Sequence, residues 1–129
     1  MNRKEVVSFR KKIEPGVREI IRERVKASGT VEKIIIRFYL GEQLSLRIRP
    51  CVEKKGQQLV DLITYPRGTD NYITGDDDPP MPFDVVFPVY NDDNIAVIVQ
   101  NTGEIASRLS VDIEVDYYAG DKRVIGGVV

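Results

Sequence analysis

Residues 94–118 contain two hydrophobic patterns that are typical of β-strands. In residues 109–117, apolar and polar side chains alternate at every position, which predicts a strand with one buried face and one solvated face. In residues 95–99, both alternating sets of side chains are apolar, so we expect this strand to be buried on both faces. A polar connection joins the two patterns, and together they predict a β-hairpin.

Five other segments show strand patterns. Residues 5–13, 31–40, 44–52, 58–65 and 83–90 alternate or are rich in β-branched and aromatic residues, and turn signals separate them. A chain of six to eight short strands, with turn signals every roughly 8–12 residues, is typical of an all-β fold. We therefore predict an antiparallel β-sandwich of the jelly-roll type, with an up-and-down barrel as the structural alternative.

Residues 17–27 fit two kinds of secondary structure. Helical spacing is present at four apolar positions, Val17, Ile20, Ile21 and Val25. Pro15 suits the first turn of a helix and Gly29 suits the position after its end, whereas the neighbouring segments have strand patterns. A short N-terminal helix and a strand both remain open. Residues 1–28 are accordingly a candidate arm within a single domain of residues 1–129.

The composition limits the classes of partner. The 129 residues are 42% hydrophobic, which is enough for one domain with its own core. Nineteen basic and twenty acidic residues give a net charge of -1, so the total charge attracts neither nucleic acid nor an anionic membrane. The start has no apolar run of the roughly 7–15 residues that a signal peptide needs. We expect a protein made in the cytoplasm, without nucleic acid or membrane as partners.

The residue types exclude histidine-dependent catalysis. The chain has no histidine and one cysteine, so it forms no Ser–His or Cys–His pair and no His/Cys zinc site. Cys51 ends an apolar strand and is expected to be a packed thiol. One strand face carries three carboxylates, those of Asp112, Glu114 and Asp116. Neighbouring members of this set are about 7 Å apart, a spacing that glycosidase carboxylates also use. A solvated strand face has the same pattern, and we predict no catalytic residue and no enzyme activity.

Two acidic runs are the candidate ligands for a metal ion. Asp76 and Asp78 lie in one loop, Asp92 and Asp93 lie in another, and calcium binds carboxylate oxygens. Neither run has the spacing of an EF-hand, so a calcium site requires the two loops to meet. A carbohydrate- or calcium-binding β-sandwich is therefore the alternative function. Because tryptophan is absent, tyrosines would have to stack on the sugar.

Charged strand faces and the apolar tail are the candidate interfaces. Arg47 and Arg49 lie on the polar face of residues 44–52, and we expect them to face the acidic positions across a sheet or a subunit boundary. The acidic positions of this candidate interface are Asp112, Glu114 and Asp116. Residues 124–129 are apolar and uncharged, and are expected to add to a sheet edge or to be buried against a neighbouring copy. The tail positions of the candidate interface are Val124, Ile125 and Val128.

Three pieces of the chain together resemble a known group of proteins. They are GTVEKIIIRFYLGEQLSLRIRP at 29–50, YITGDDDPPMPFDVVFPV at 72–89 and DNIAVIVQNTGEIASRLSVDIEVDYY at 93–118. Their order of strands and turns is similar to that of small jelly-roll proteins on phage and other viral particles, of the head-decoration and fibre-base types. The resemblance implies a structural protein of the virion, a trimer or other symmetric homo-oligomer docked on a larger assembly such as a capsid. Apart from the resemblance, we expect such a module to dock through its termini and to present the irregular stretch 66–82 outward.

Overall fold

The computed structural model describes residues 3–39, 41, 44–56, 58–63, 72–76 and 79–118. These residues form eight strands: β1 (Arg3–Ile13), β2 (Arg18–Arg24), β3 (Gly29–Ile36), β4 (Leu46–Glu53), β5 (Leu59–Asp61), β6 (Met81–Val89), β7 (Asn94–Asn101) and β8 (Ser107–Tyr117). Within these ranges there is no helix, and thus no helical segment long and apolar enough to cross a membrane.

The strands form two antiparallel four-stranded sheets. Sheet A has the order β1-β8-β3-β6, and sheet B has the order β2-β7-β4-β5. Strand pairs alternate between the sheets, with β4–β5 and β2–β7 in sheet B and β3–β6 and β1–β8 in sheet A. The chain is thus arranged like one long hairpin with its tip at β4–β5, rolled across two layers. This is a jelly roll, so the predicted antiparallel β-sandwich is confirmed and the barrel alternative is wrong.

The predicted hairpin of residues 94–118 is wrong. Strand β7 lies between β2 and β4 in sheet B, whereas β8 lies between β1 and β3 in sheet A. Residues 102–106 therefore carry the chain from one sheet to the other. The hydrophobic pattern identified the buried faces correctly, since β7 is buried on both faces and β8 on alternate positions. A pattern of buried faces does not specify the partner strand.

The N-terminal helix is also wrong, because residues Arg18–Arg24 form β2 and pair with β7 along their whole length. Ile21 packs against the main core, while Ile20 packs against a second apolar cluster on the outer face of sheet B. Burial on both faces puts apolar residues at adjacent positions, and this imitates helical spacing. β1 pairs with β8 from Arg3 to Ile13, so the N-terminal part of the chain contributes a strand to each sheet.

The main core lies between the two sheets. Fully buried side chains on β7 and β8, a central strand of each sheet, include Ile95, Val97, Val99, Leu109, Val111 and Ile113. Burying each aliphatic side chain of this size stabilises the fold by roughly 1.5–3 kcal/mol. In β3 the pairing register shifts between Val31 and Lys33, so Val31 lies on the same buried face as Ile34 although the two are three positions apart.

The topology separates the connections into two groups at opposite ends of the sandwich. The connections that follow β1 and β7 lie at one end, which we call the loop end, and β3 ends there as well. The connections that follow β2, β4 and β6 lie at the other. Because Arg3 pairs with Tyr117, β1 begins and β8 ends there as well, and we call it the terminal end. Of the long connection between β5 and β6, Ile73 and Gly75 lie beside Ile48 and Leu44, near the loop end.

Candidate functional site

The acidic positions of β8 lie on the outer face of sheet A and are paired with cations from β1. Arg10 Nη2 donates hydrogen bonds to both carboxylate oxygens of Asp112, at 2.9 and 3.0 Å. Ser8 Oγ donates a third bond to Asp112, at 2.8 Å. This carboxylate is therefore held in place by its neighbours, which is the arrangement of a structural ion pair rather than of a general acid or base.

Lys4 of β1 lies next to the other two acids of this face, Glu114 and Asp116. Its Nζ lies 3.3 Å from Glu32 and 3.9 Å from Glu114, and the strand register places Lys4 opposite Asp116. The hydrogen bond and the charge of Glu32, with the charge of Glu114, raise the pKa of Lys4 above its usual value. Exposed pairs of this kind contribute little to stability, because water and salt screen them.

Arg47 and Arg49 lie on the outer face of sheet B, on the opposite side of the sandwich. Arg49 Nη2 donates to both carboxylate oxygens of Asp61, at 3.1 and 3.0 Å. The Arg47 guanidinium lies 4.6 Å from the centre of the Tyr72 ring. Pairing between these arginines and the acids of β8 within one sheet is therefore wrong, because β4 and β8 belong to different sheets with outer faces that point apart.

Cys51 is the packed thiol that the sequence predicts. Its side chain is fully buried beside Ala96 and Ile98, and its Sγ donates a hydrogen bond to Asp61 Oδ1 at 3.3 Å. Burial, assisted by Asp61, raises the pKa of Cys51 to about 12. The thiol is thus protonated at neutral pH and is a poor nucleophile.

Asp93 joins two connections at the terminal end, the turn after β6 in which it lies and the turn after β4. It accepts hydrogen bonds from the Tyr90 N–H at 2.9 Å, the Lys55 N–H at 3.2 Å and Lys54 Nζ at 3.0 Å. Burial acts to raise the pKa of Asp93, but the bonds from Tyr90, Lys54 and Lys55 outweigh it, and the pKa lies below its usual value. Asp92, in the same turn, pairs with Arg24 and Lys55. Protein cations and N–H groups thus occupy the oxygens that were candidate calcium ligands.

The other candidate metal loop lies at the far end of β4. The Leu44 N–H donates to the carbonyl of Gly75, and Ile73 pairs with Ile48, so Asp76 follows a segment held at the loop end. The eight residues of β4 separate it from Asp93 by about 25 Å. Across the described part of the chain, no three His, Cys, Asp or Glu side chains are grouped closely enough to hold a metal ion. Among the described residues, Asp76 thus lies far from Asp92 and Asp93, and the prediction for Asp78 stays untested.

Several candidate residues fall outside the described residues. They are Asp78 of the acidic loop, Val124, Ile125 and Val128 of the tail, and residues 64–71 and 77 next to or within the long connection. The expectations that concern them stay predictions.

The surface that sequence reasoning missed is β6. It is the edge strand of sheet A and pairs, within the described chain, with β3 alone. Val86 on its outer face is 87% exposed, and on its inner face Met81, Phe83, Val85 and Phe87 are only partly buried, whereas Val89 is fully buried. A signal is present in the sequence, since residues 81–89 contain one charged side chain, but the same composition is also typical of a strand buried within a sheet.

Comparison with known proteins adds a fold-level likeness. No protein-family model matches the sequence, and no curated protein matches it. The fold is similar to that of VP2 in the crystal structure of the infectious bursal disease virus VP2 subviral particle. That match has a TM-score of 0.51 and 16% identity, and covers 93% of this chain and 34% of the VP2 chain. The structure of the Gx strain of the same virus aligns with a TM-score of 0.47, 14% identity, and coverage of 93% and 33%.

The chain spans about a third of the length of the viral chains that it matches. At this identity the likeness shows the fold alone, and it confirms that the fold resembles that of a viral capsid protein. The narrower resemblance to phage decoration proteins receives no support from these structures, which come from a different kind of virus.

Proposed function

We propose that this chain is a non-enzymatic structural module that associates with copies of itself and docks onto a larger particle. The observation that carries the proposal is the placement of the chain ends. The first strand begins and the last strand ends side by side at the terminal end, while the connections after β1 and β7 lie at the loop end. A module of this shape attaches through one end and presents a loop at the other.

The likeness to VP2 supports a virion-type role at the level of the fold, because that protein forms a subviral particle. Within this role, head decoration or a fibre base on a phage, a trimeric state and a location in the virion are the specific form that we propose. A symmetric oligomer is the form that fits a symmetric particle.

The tail is the proposed attachment segment. It follows Tyr118, whose N–H donates to the Ser28 carbonyl at 3.0 Å and whose hydroxyl lies 2.5 Å from Thr30 Oγ1. These contacts fix the point from which the tail departs at the terminal end. An apolar, uncharged segment at this position gains free energy when it is buried against a neighbour. Arg47 and Arg49 of one copy facing the acids of β8 in another copy remain a further proposed contact.

Light scattering after size exclusion tests the proposal on the full chain and on a variant that lacks residues 124–129. We expect the full chain to be a symmetric oligomer and the truncated chain to have a smaller mass or a weaker association. Melting temperature serves as the control, because the tail lies beyond the last strand of the sandwich. A clean monomer at high concentration, unchanged by the deletion, would count against the proposal.

A further inference from the structure

The four edge strands of the sandwich are protected against pairing to very different degrees. Charged side chains occupy six of the eleven residues of β1 and five of the seven residues of β2. β5 has three residues, which is too short to offer a long template. Charge and shortness are the usual devices that prevent edge-to-edge association. β6 has nine residues, of which only Asp84 is charged.

β6 leaves apolar side chains exposed to water, which is unusual for an edge strand. Burial alternates without a break from Met81 to Val89, so the strand has a regular inner and outer face despite the register shift in its pairing with β3. On the inner face, Phe83, Val85 and Phe87 pack against the core but stay partly exposed. A partner strand alongside β6 removes more of this apolar surface from water.

The sequence of β6 is close to a palindrome. Residues 82–88 read PFDVVFP, with Val85 at the centre, phenylalanines two positions away on either side and prolines three positions away. Two copies that pair antiparallel about Val85 place Phe83 of one opposite Phe87 of the other, and Val85 opposite Val85. Asp84 then lies opposite Val86, so that no two like charges meet. This is the self-complementary arrangement that a two-fold interface requires.

We propose that β6 pairs with β6 of a second copy of this chain, joining two sheets A into one continuous sheet across a two-fold axis. This deepens the proposed function, on which it rests, by naming a two-fold surface through which copies join. A two-fold contact pairs copies and does not close a ring of three, so the contact within the proposed trimer uses a different surface. Pro82 and Pro88 cannot donate to a ladder, but in this register they face one another, so the missing donors fall on the two end pairs. Residues 83–87 remain to form the ladder.

Two substitutions of opposite charge at Val86 test the register. Val86 is 87% exposed, so Val86→Asp and Val86→Lys leave the fold of one copy unchanged. Val86→Asp places the new carboxylate of each copy opposite Asp84 of the other copy, so the dimer contains two like-charge pairs. We expect the dissociation constant to rise at least about fivefold. Val86→Lys places an ammonium opposite Asp84, and association stays as tight or tightens. The difference between the two variants shrinks in high salt.

The matched control is Val6→Asp on β1, on the outer face of the same sheet. Val6 is 58% exposed and lies on the edge strand at the other side of sheet A. We expect its substitution to leave association unchanged. Sedimentation equilibrium gives the dissociation constants, and melting temperatures show that each variant is folded.

A disulfide tests the centre of the register independently. Opposite residues of an antiparallel pair have Cα atoms about 4.5–5.5 Å apart, within the range of a disulfide. A Val85→Cys variant is expected to form a disulfide-linked dimer under mild oxidation, much faster than Val6→Cys does. The native Cys51 does not compete, because it is fully buried. Equal rates for the two variants would overturn the proposed register.

The outcomes separate this inference from the proposed function. A wild-type oligomer that is insensitive to both Val86 substitutions overturns pairing through β6 and leaves self-association intact. The same insensitivity, combined with loss of association on deletion of residues 124–129, assigns the contact to the tail and overturns the inference. A wild-type chain that stays monomeric overturns both. Weakening by Val86→Asp but not by Val86→Lys or Val6→Asp supports the inference.

Discussion

Individual side chains show where local sequence gives the right chemistry and where it does not. Cys51 was predicted as a packed thiol because it ends an apolar strand, and it is buried, although Ala96 and Ile98, which cover it, come from β7. Asp93 was predicted as a calcium ligand because it lies in an acidic run. Its environment comes instead from Lys54 and Lys55, which lie far away in sequence and close in space. An acidic run does not reveal which cations the fold brings to it.

Asp93→Asn is expected to reduce the free energy of unfolding by about 1–3 kcal/mol at pH 7, because the N–H groups of Tyr90 and Lys55 donate to different carboxylate oxygens and the amide nitrogen replaces one of these acceptors. The pKa of Asp93 is lowered in the folded state, so its contribution is present above the usual Asp pKa of about 3.9. That contribution is lost as the pH falls through the lowered pKa. Urea denaturation at neutral and acidic pH measures the difference.

The neighbouring Asp92→Asn is the matched control for this prediction. Asp92 has a φ of 79°, a conformation that asparagine also adopts, and its ion pairs with Arg24 and Lys55 lie at the surface. We expect a loss of at most about 1 kcal/mol. Equal losses in the two variants, or a loss at Asp93 that does not depend on pH, would contradict the structural role of Asp93.

At the scale of strands, the sequence predicts where the strands lie better than it predicts which strands pair with one another. Strands were expected at residues 5–13, 44–52 and 83–90, and β1, β4 and β6 lie there. The hairpin of residues 94–118 failed because alternation records burial and carries no information on which strand lies alongside. The prediction of a helix at residues 17–27 was wrong because apolar residues lie on both faces of β2. Ile21 packs against the main core, and Ile20 packs against the cluster on the outer face of sheet B.

Gly29→Ala tests the close approach of β3 and β8. A Cβ atom at Gly29 lies 2.6 Å from the Asp116 carbonyl oxygen and 3.0 Å from Tyr117 Cα, and both are backbone atoms of a central strand. One of the strands therefore has to shift, and we expect the free energy of unfolding to fall by about 1–3 kcal/mol. Urea denaturation measures this loss.

Ser28→Ala is the control for the Gly29 variant. Ser28 precedes β3 and contributes its backbone carbonyl to the bond from the Tyr118 N–H, which a change of side chain leaves intact. We expect little change in its unfolding midpoint. The close approach would be refuted by a Gly29→Ala protein as stable as the Ser28→Ala protein.

For the whole molecule, the sandwich follows from the sequence because strand length, alternation and turn spacing are local properties. The order of strands in the sheets does not, because it depends on long-range pairing such as that of Arg3 with Tyr117. The candidate site was harder to predict for the same reason. The terminal end and the loop end exist only after the chain has been rolled into two sheets.

We propose that this chain is a unit of an assembly. The mass of the protein in solution tests that proposal most directly. Sedimentation velocity of the full chain over a wide concentration range gives the number of copies that associate. We predict a species whose mass is a multiple of the 14.6 kDa chain and whose population rises with concentration. A single 14.6 kDa species at every concentration would contradict the account.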